Sequence, residues 1–417
     1  MAAAHAFATV PLTPLGAEPE LVDTAAAVQE TARRYAQDVM RPVGLALDRM
    51  TPEQVIAADS PLWDALKQFG ALGFTVDALL AFEPAERARI MCILFEELGW
   101  GDSGLAVTIG AGMLPALMST VLGNSFCRAI ASDDKLGCWA ITEPDHGTDM
   151  LDPNRMIFHP QGNYGRPNCV VTIKDDELII NGQKSAWVSN GVIGQVCILY
   201  AAADAGSGPS TQQGAVVIVP GDAKGVSRGK PLDKMGQRAL NQGEIFFDDV
   251  RLSKEHLLAG PDQYPAAVYA VHCFANALMG AIFTGCARSA YDLAHGYVHE
   301  RKAGGVAIIR HQSVAHRLFH MFRKVEAACA LSRRVAHYNF TAPQPALQAA
   351  MTSKVTATQT AFEVASDALQ LFGGNGLTRE YPIEKILRDA RVSLIEDGCN
   401  EILAIKGGYY LADPDRL

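Results

Sequence analysis

Two adjacent carboxylates, Glu396 and Asp397, stand in IEDG just ahead of the last predicted helix, in otherwise apolar surroundings. Acids placed out of water shift their pKa and mark candidate functional sites. Three other stretches set backbone and side-chain donors beside glycine. ITEPDHGTD (141–149) leaves a predicted strand with the Thr142 hydroxyl and amide; Gly147 and Thr148 then offer an N–H and a hydroxyl to an anionic or carbonyl-rich ligand, as a nest of amides does. A plain strand-to-loop turn is the competing reading. NGQKSAWVSNG (181–191) places a hairpin turn at Asn-Gly and puts Trp187 and Ser189 on the next strand. An indole two residues from a hydroxyl walls a flat ring and bonds its edge, unless both are core. In ERKAGGVAIIRHQ (300–312) an Arg ends one helix and a Gln begins the next; the stretch that holds the acidic pair (370–403) itself opens with QLFGGNG, where glycines end a helix and let backbone approach a ligand closely.

Those residues must be positioned by three compositional zones. Residues 22–136 read as an N-terminal all-α domain, with helices predicted over Val22–Val43, Leu62–Leu72, Glu83–Leu98 and Gly104–Leu122. Residues 137–252 read as a middle β domain of short strands (138–142, 169–173, 177–181, 195–201, 215–219 and 244–249), with a flexible loop at 203–214. With no helices between them, such strands pair mostly antiparallel, as a barrel or sandwich. Residues 253–417 return to long helices. One carries Val314, Leu318, Met321, Val325, Ala328, Ser332 and Val335, and the next carries Val355, Thr358, Phe362, Ala365, Leu369 and Phe372. Such seams pack as neighbours in a helical bundle. Residues 1–21 read as a loose extension without the features of a targeting signal.

Composition narrows the function classes. The 417 residues are 49% hydrophobic and 19% charged, which suits a folded chain of two or three domains. A net charge of -9 gives no basic field for nucleic acid. No apolar run reaches the roughly 18 to 20 residues that cross a bilayer, so no membrane partner is expected. Nine scattered cysteines without a CxxC point to a reducing, cytoplasmic setting. The signatures GxGxxG, GxxxxGK[ST], HExxH and GxSxG are absent. His295 with His299 and His316 with His320 lie one helical turn apart but bring no further ligand, so no metal is expected.

Taken in order, and on an α, β, α layout, the four stretches resemble the acyl-CoA dehydrogenase family over about residues 22–411. The resemblance implies an α+β fold: an N-terminal all-α domain, a middle antiparallel β-barrel or sandwich, and a C-terminal four-helix bundle. It also implies FAD between the last two. Ile141 and Thr142 would touch the pyrimidine and N5 side of the flavin, Gly147 and Thr148 the pyrophosphate or ribityl region, and Trp187 and Ser189 would back the ring. Arg301, Gln312, Gln370, Gly373 and Gly374 would hold the FAD of a neighbouring subunit in a homotetramer built as a dimer of dimers. The implied reaction is α,β-desaturation of an acyl-CoA or other acyl thioester, with an electron-transferring flavoprotein as acceptor. Removing the α-proton needs a carboxylate in a dry pocket. The register of RDAR (388–391) puts Asp397 where the family carries its catalytic acid, usually Glu, and Glu396 is the second choice.

Several positions depart from the family. Ala303–Gly305 replaces an aromatic residue after Arg301, Asn276 falls where many members carry an Arg, and Cys399 replaces a Thr that follows the catalytic Gly and borders the cofactor. The link at 151–168 is longer than usual and is expected to border the substrate mouth. An Asp base suits a cyclic or branched acyl group. It also keeps open a nitroalkane-oxidase-like flavoprotein, although Ala404 stands where those enzymes carry an Arg. A redox-neutral thioester lyase on the same scaffold and a non-catalytic flavin-carrying binding protein are the remaining alternatives.

Overall fold

The computed structural model describes residues 21, 23–155, 164–206 and 208–413. The 1–21 extension lies almost wholly outside the described residues, and so does the middle of the 151–168 link. The N-terminal part is helical. α1 (Asp23–Tyr35) runs through a π-turn at Ala36–Met40 into α2 (Arg41–Leu47). The segment expected as one helix is therefore divided, because Pro42 has no N–H to return to the preceding turn. Short helices α3 (Pro52–Ile56), α4 (Pro61–Ala71) and α5 (Val76–Leu80) lead to the long α6 (Pro84–Gly101) and α7 (Ser103–Val121), followed by α8 (Ser125–Ile130). Asp102 caps α7 by accepting the Leu105 N–H at 2.9 Å.

Eight strands make the curled central sheet: β1 (Gly137–Ala140), β2 (Cys169–Ile173), β3 (Glu177–Lys184), β4 (Val196–Asp204), β5 (Ser210–Pro220), β6 (Val226–Arg228), β7 (Ile245–Ser253) and β8 (Leu257–Ala259). Their order is β6-β7-β3-β2-β4-β5-β8, with β1 beside β4. Pairing is antiparallel except that β1 and β2 both run parallel to β4. β4 shows how the sheet is buried on both sides. Cys197, Leu199, Ala201 and Ala203 enter the core between strands, while Val196, Ile198 and Tyr200 meet the helices, as a period of two dictates.

Three local expectations change. Asn181-Gly182 is not a hairpin turn but lies inside β3, where the register shifts between Ile180 and Gly182. Gly182 has φ +118°, and an added Cβ would stand 1.9 Å from the Asn168 carbonyl, so glycine serves a bulge here. Trp187 and Ser189 consequently follow β3 in irregular chain, and Ser189 makes single bridges to Trp139 and Gln242. The loop expected over 203–214 is shorter, because β4 reaches Asp204 and β5 begins at Ser210; Asp204 Oδ1 takes the N–H groups of Gly206 and Gly208.

The C-terminal part comprises α9 (Tyr264–Glu300), α10 (Gln312–Thr341), α11 (Leu347–Phe372), α12 (Ile383–Ser393) and α13 (Asn400–Ala412). The α10 seam is buried from Leu318 to Val335, with Val314 only half-buried at its start. In α11 the buried stripe also takes in Ala350, Lys354, Ala357, Ala361 and Ala368, small residues that let α9 pack closely and one lysine among them. Contrary to the expectation from apolar runs, α7 and α9 are each long and apolar enough to cross a bilayer by length and composition. Scattered Gly, Thr and His residues interrupt the runs but leave each helix apolar on average. Of their most apolar windows, 78% and 67% are buried inside the fold, so that apolar surface is already covered.

Candidate active site

The Glu396–Asp397 pair lies in the tight loop between α12 and α13, and the entry to that loop is anchored on three sides. Arg388 of α12 binds both oxygens of Asp48 at 2.9 and 2.7 Å. Lys385 bridges Asp102 and Asp389 at 2.6 and 2.5 Å. The Gln237 N–H, from the β6–β7 loop, donates to Asp389 at 2.5 Å. The loop then turns through two left-handed residues, Asp397 (φ +52°) and Gly398 (φ +91°). For a non-glycine residue that conformation costs on the order of 1 kcal/mol, least for Asp and Asn.

Burial pushes the Asp397 carboxyl up to about 6, with the Lys354 charge opposing. Burial also pushes Glu396 up to about 7, with the Asp397 charge adding to the rise and the Gln237 amide working against it. Gln237 Nε2 donates to Glu396 at 2.5 Å. Neither acid is in an ion pair among the described residues. Both titrate near neutral pH, where a carboxylate is an effective proton acceptor.

The expected flavin contacts gather at the exit of β1. Ser185 N–H donates to the Thr142 carbonyl at 3.0 Å, the Thr142 and Ser185 hydroxyls lie 2.7 Å apart, and the Trp187 N–H donates to Ser185 Oγ. A buried Lys184–Glu143 ion pair at 2.6 Å pins this turn from behind, and Lys184 also holds the Ile141 carbonyl. Ile141 itself is 7% exposed and packs between sheet and helices. The Trp187 indole is 62% exposed, and a Cβ added at Gly147 would meet nothing within 4 Å. An uncovered indole flanked by hydroxyls and open backbone fits a flat ring with a polar edge, as a flavin has. Thr148 begins a 3-10 turn, Thr148–Leu151, that carries Leu151 against Gly398. The start of the long link therefore lies beside the acidic loop.

The second expected set is not brought to this place. Arg301 caps the end of α9, Gln312 opens α10, and Gln370, Gly373 and Gly374 lie at the end of α11, all exposed. Tyr297 joins these ends by stacking on Phe372 at 4.0 Å and accepting from Asn375. Lys354, beside the acidic loop, and Gln370 are sixteen residues apart on α11, which at the helical rise is about 24 Å.

Cys399 is the residue before α13 and is half-buried. An apolar cavity of about 730 Å³, counting its open mouth, lies on the face of α9 that carries Phe274, Ala277, Leu278 and Ala281, and it includes neither acid. Sequence reasoning did not find Gln237, a left-handed residue (φ +48°) in a loop, for which no sequence signal exists. It also did not find Lys354. The one available signal was a lysine among small residues in MTSKVTAT.

An all-α part, a curled sheet and a helical bundle, with a half-buried acidic pair and an uncovered indole, define a cofactor-dependent enzyme of the type the sequence resembles. Residues 138–250 match the family model for the acyl-CoA dehydrogenase middle domain, and residues 274–406 match that for the C-terminal domain, together more than half the chain. The chain belongs to the acyl-CoA dehydrogenase family, FAD-dependent oxidoreductases that act on CH–CH bonds. It is 26% identical to benzylmalonyl-CoA dehydrogenase of Aromatoleum aromaticum over 93% of this chain and 97% of that one. It is also 26% identical to the short-chain specific acyl-CoA dehydrogenase of Clostridium acetobutylicum over 91% and 96%. Its fold is similar to butyryl-CoA dehydrogenase of Megasphaera elsdenii, with a TM-score of 0.81 at 23% identity, covering 95% of this chain and 100% of that one.

Proposed function

We propose that this chain desaturates an acyl-CoA between its α and β carbons, with Asp397 as the base. The observation that carries the reading is a half-buried carboxyl without an ion pair among the described residues, on a loop anchored by α12 and by the β6–β7 loop, where burial pushes it up to about 6. FAD, when bound, supplies the acceptor for the β-hydride and would be held by Thr142, Gly147, Thr148, Trp187 and Ser189. Asp397 takes the α-proton on its carboxylate. The loop backbone fixes the direction of that carboxylate, and Leu151 sets apolar surface against Gly398 beside it. An Asp is one methylene shorter than a Glu, so substrate and loop backbone must come closer. A misplacement on the order of 1 Å costs about a hundredfold.

We further propose a cyclic or branched acyl group, which the short base and the similarity to benzylmalonyl-CoA dehydrogenase support, and an electron-transferring flavoprotein as acceptor. The separation of Arg301, Gln312, Gln370, Gly373 and Gly374 from the acidic loop supports their serving a neighbouring subunit's FAD in a dimer of dimers. Nine free thiols support a cytoplasmic setting.

The test is anaerobic mixing of the purified holoenzyme with a panel of acyl-CoAs while the flavin absorbance is followed. One thioester bleaches the flavin. Asp397→Asn slows bleaching by about 10²–10⁴-fold with FAD retained, and Glu396→Gln keeps most of it. Unchanged bleaching in Asp397→Asn removes the assignment.

A further inference from the structure

The two left-handed residues of the acidic loop are each held by a buried side chain from a different helix. Asn276 of α9 donates Nδ2 to the Asp397 carbonyl at 3.1 Å. Lys354 of α11 donates Nζ to the Gly398 carbonyl at 2.8 Å and to Asn400 Oδ1 at 2.8 Å. Thr358, one turn further along α11, shares Asn400 by accepting its Nδ2 at 3.0 Å. Lys354 and Asn276 are both 0% exposed. The Lys354 ammonium therefore sits in the interior on two neutral acceptors, one of them the carbonyl of Gly398, the residue after Asp397. A buried ammonium held this way is costly, and a neutral side chain would bond the same carbonyl at less cost. Its charge is what a neutral donor lacks.

We propose that Lys354 is a positioning residue for proton abstraction, one that orients the 397–398 backbone together with Asn276 and whose positive charge keeps the Asp397 carboxylate ionised. The proposal rests on the reading of Asp397 as the base. Lys354 is the charge that opposes burial at Asp397. Burial lowers Lys354 itself to about 8, with Asp397 and Glu396 supporting its charge. Other groups face the pair from each packed element. Glu396 and Cys399 lie on the loop, Glu401 on α13, and Lys234 reaches Glu396 from the β6–β7 loop. His272 of α9 is driven well below its usual range by burial and by Lys406 and Lys354, and stays neutral. Between about pH 6 and 8 the base is thus an anion and its neighbour a cation. Removing the cation raises the Asp397 pKa, so the competent form appears at higher pH. Removing Asn276 takes away a bond and no charge.

The experiment is a pH titration of the holoenzyme by infrared difference spectroscopy, in which the Asp397 carboxyl band is identified by its loss in Asp397→Asn. Lys354→Gln, which retains a donor amide, and Lys354→Met, which does not, both raise the Asp397 midpoint by about one pH unit. Lys354→Arg returns it toward the wild-type value. Asn276→Ala leaves the midpoint in place and slows flavin bleaching by roughly tenfold. A wild-type midpoint in folded Lys354→Gln overturns the role of Lys354 and leaves the base reading standing. Bleaching that survives Asp397→Asn overturns the base reading and leaves the titration result intact.

Discussion

Two pairs of adjacent acids, the fully buried Glu96–Glu97 and the half-buried Glu396–Asp397, differ in what meets them. Arg333 grips Glu96 through Nε and Nη2 at 2.9 and 2.5 Å. Glu97 takes Arg33 at 2.8 Å and Arg288 at 2.6 Å. That cluster is a joint tying α6 to α1, α9 and α10. The loop pair has an amide on Glu396 and, on the Asp397 side, the field of Lys354, with no guanidinium. Acids joined to arginines hold elements together. Burial pushes Glu96 up as well, to about 8. What sets the loop pair apart is that its acids face lysine charges and an amide, with no guanidinium holding them among the described residues, which leaves them free to exchange protons.

The same acid-to-amide change should therefore act in opposite directions at the two places. Glu97→Gln leaves Arg288 buried with its partner's charge gone and lowers stability by about 3–5 kcal/mol, read from denaturant unfolding; a loss under about 1 kcal/mol would erase the contrast. Asp397→Asn raises stability at pH 8. The Asp397 carboxyl sits at about 6 in the fold against 3.8 when exposed. Between these values the native state binds the extra proton, so stability falls as pH rises through the window and the cost is complete above about 6. Asn removes that cost, a gain of about 1–3 kcal/mol at pH 8 that vanishes near pH 4. Equal stability of the two proteins at both pH values breaks the distinction.

The bleaching rate should rise as pH passes through about 6, following ionisation of Asp397. A rate flat from pH 5 to pH 8 contradicts a base of that pKa. The smallest effect falls on the link. Leu151 packs on Gly398, and its carbonyl accepts Lys406 Nζ at 2.5 Å. Deleting 153–165 should shift the preference among acyl-CoAs by about tenfold with FAD content retained. Equal loss of both would place the link in the cofactor's support instead.

Much of this contrast could be read ahead of the structure, and the exceptions have physical causes. The acidic pair in the loop was visible because two carboxylates in apolar sequence stand out on their own. Glu96 and Glu97 were not, because in EELGW they look like an ordinary solvated helix face, and their arginines lie at Arg33, Arg288 and Arg333. Trp187 and Ser189 were placed on a strand, because Asn-Gly reads as a turn by local preference and only the partner strands made it a bulge.

By itself the sequence determined the α, β, α order, since the periods of 3.6 and 2 are local properties of a few neighbouring residues, and the closeness of Glu396 to Asp397, which one peptide bond guarantees. Only the tertiary structure decided that Lys354, 44 residues before Gly398, reaches the acidic loop, and that Asn276 holds the adjoining carbonyl. Burial, and with it the pKa of an acid, depends on how distant helices pack together, and no stretch of the chain carries that information alone.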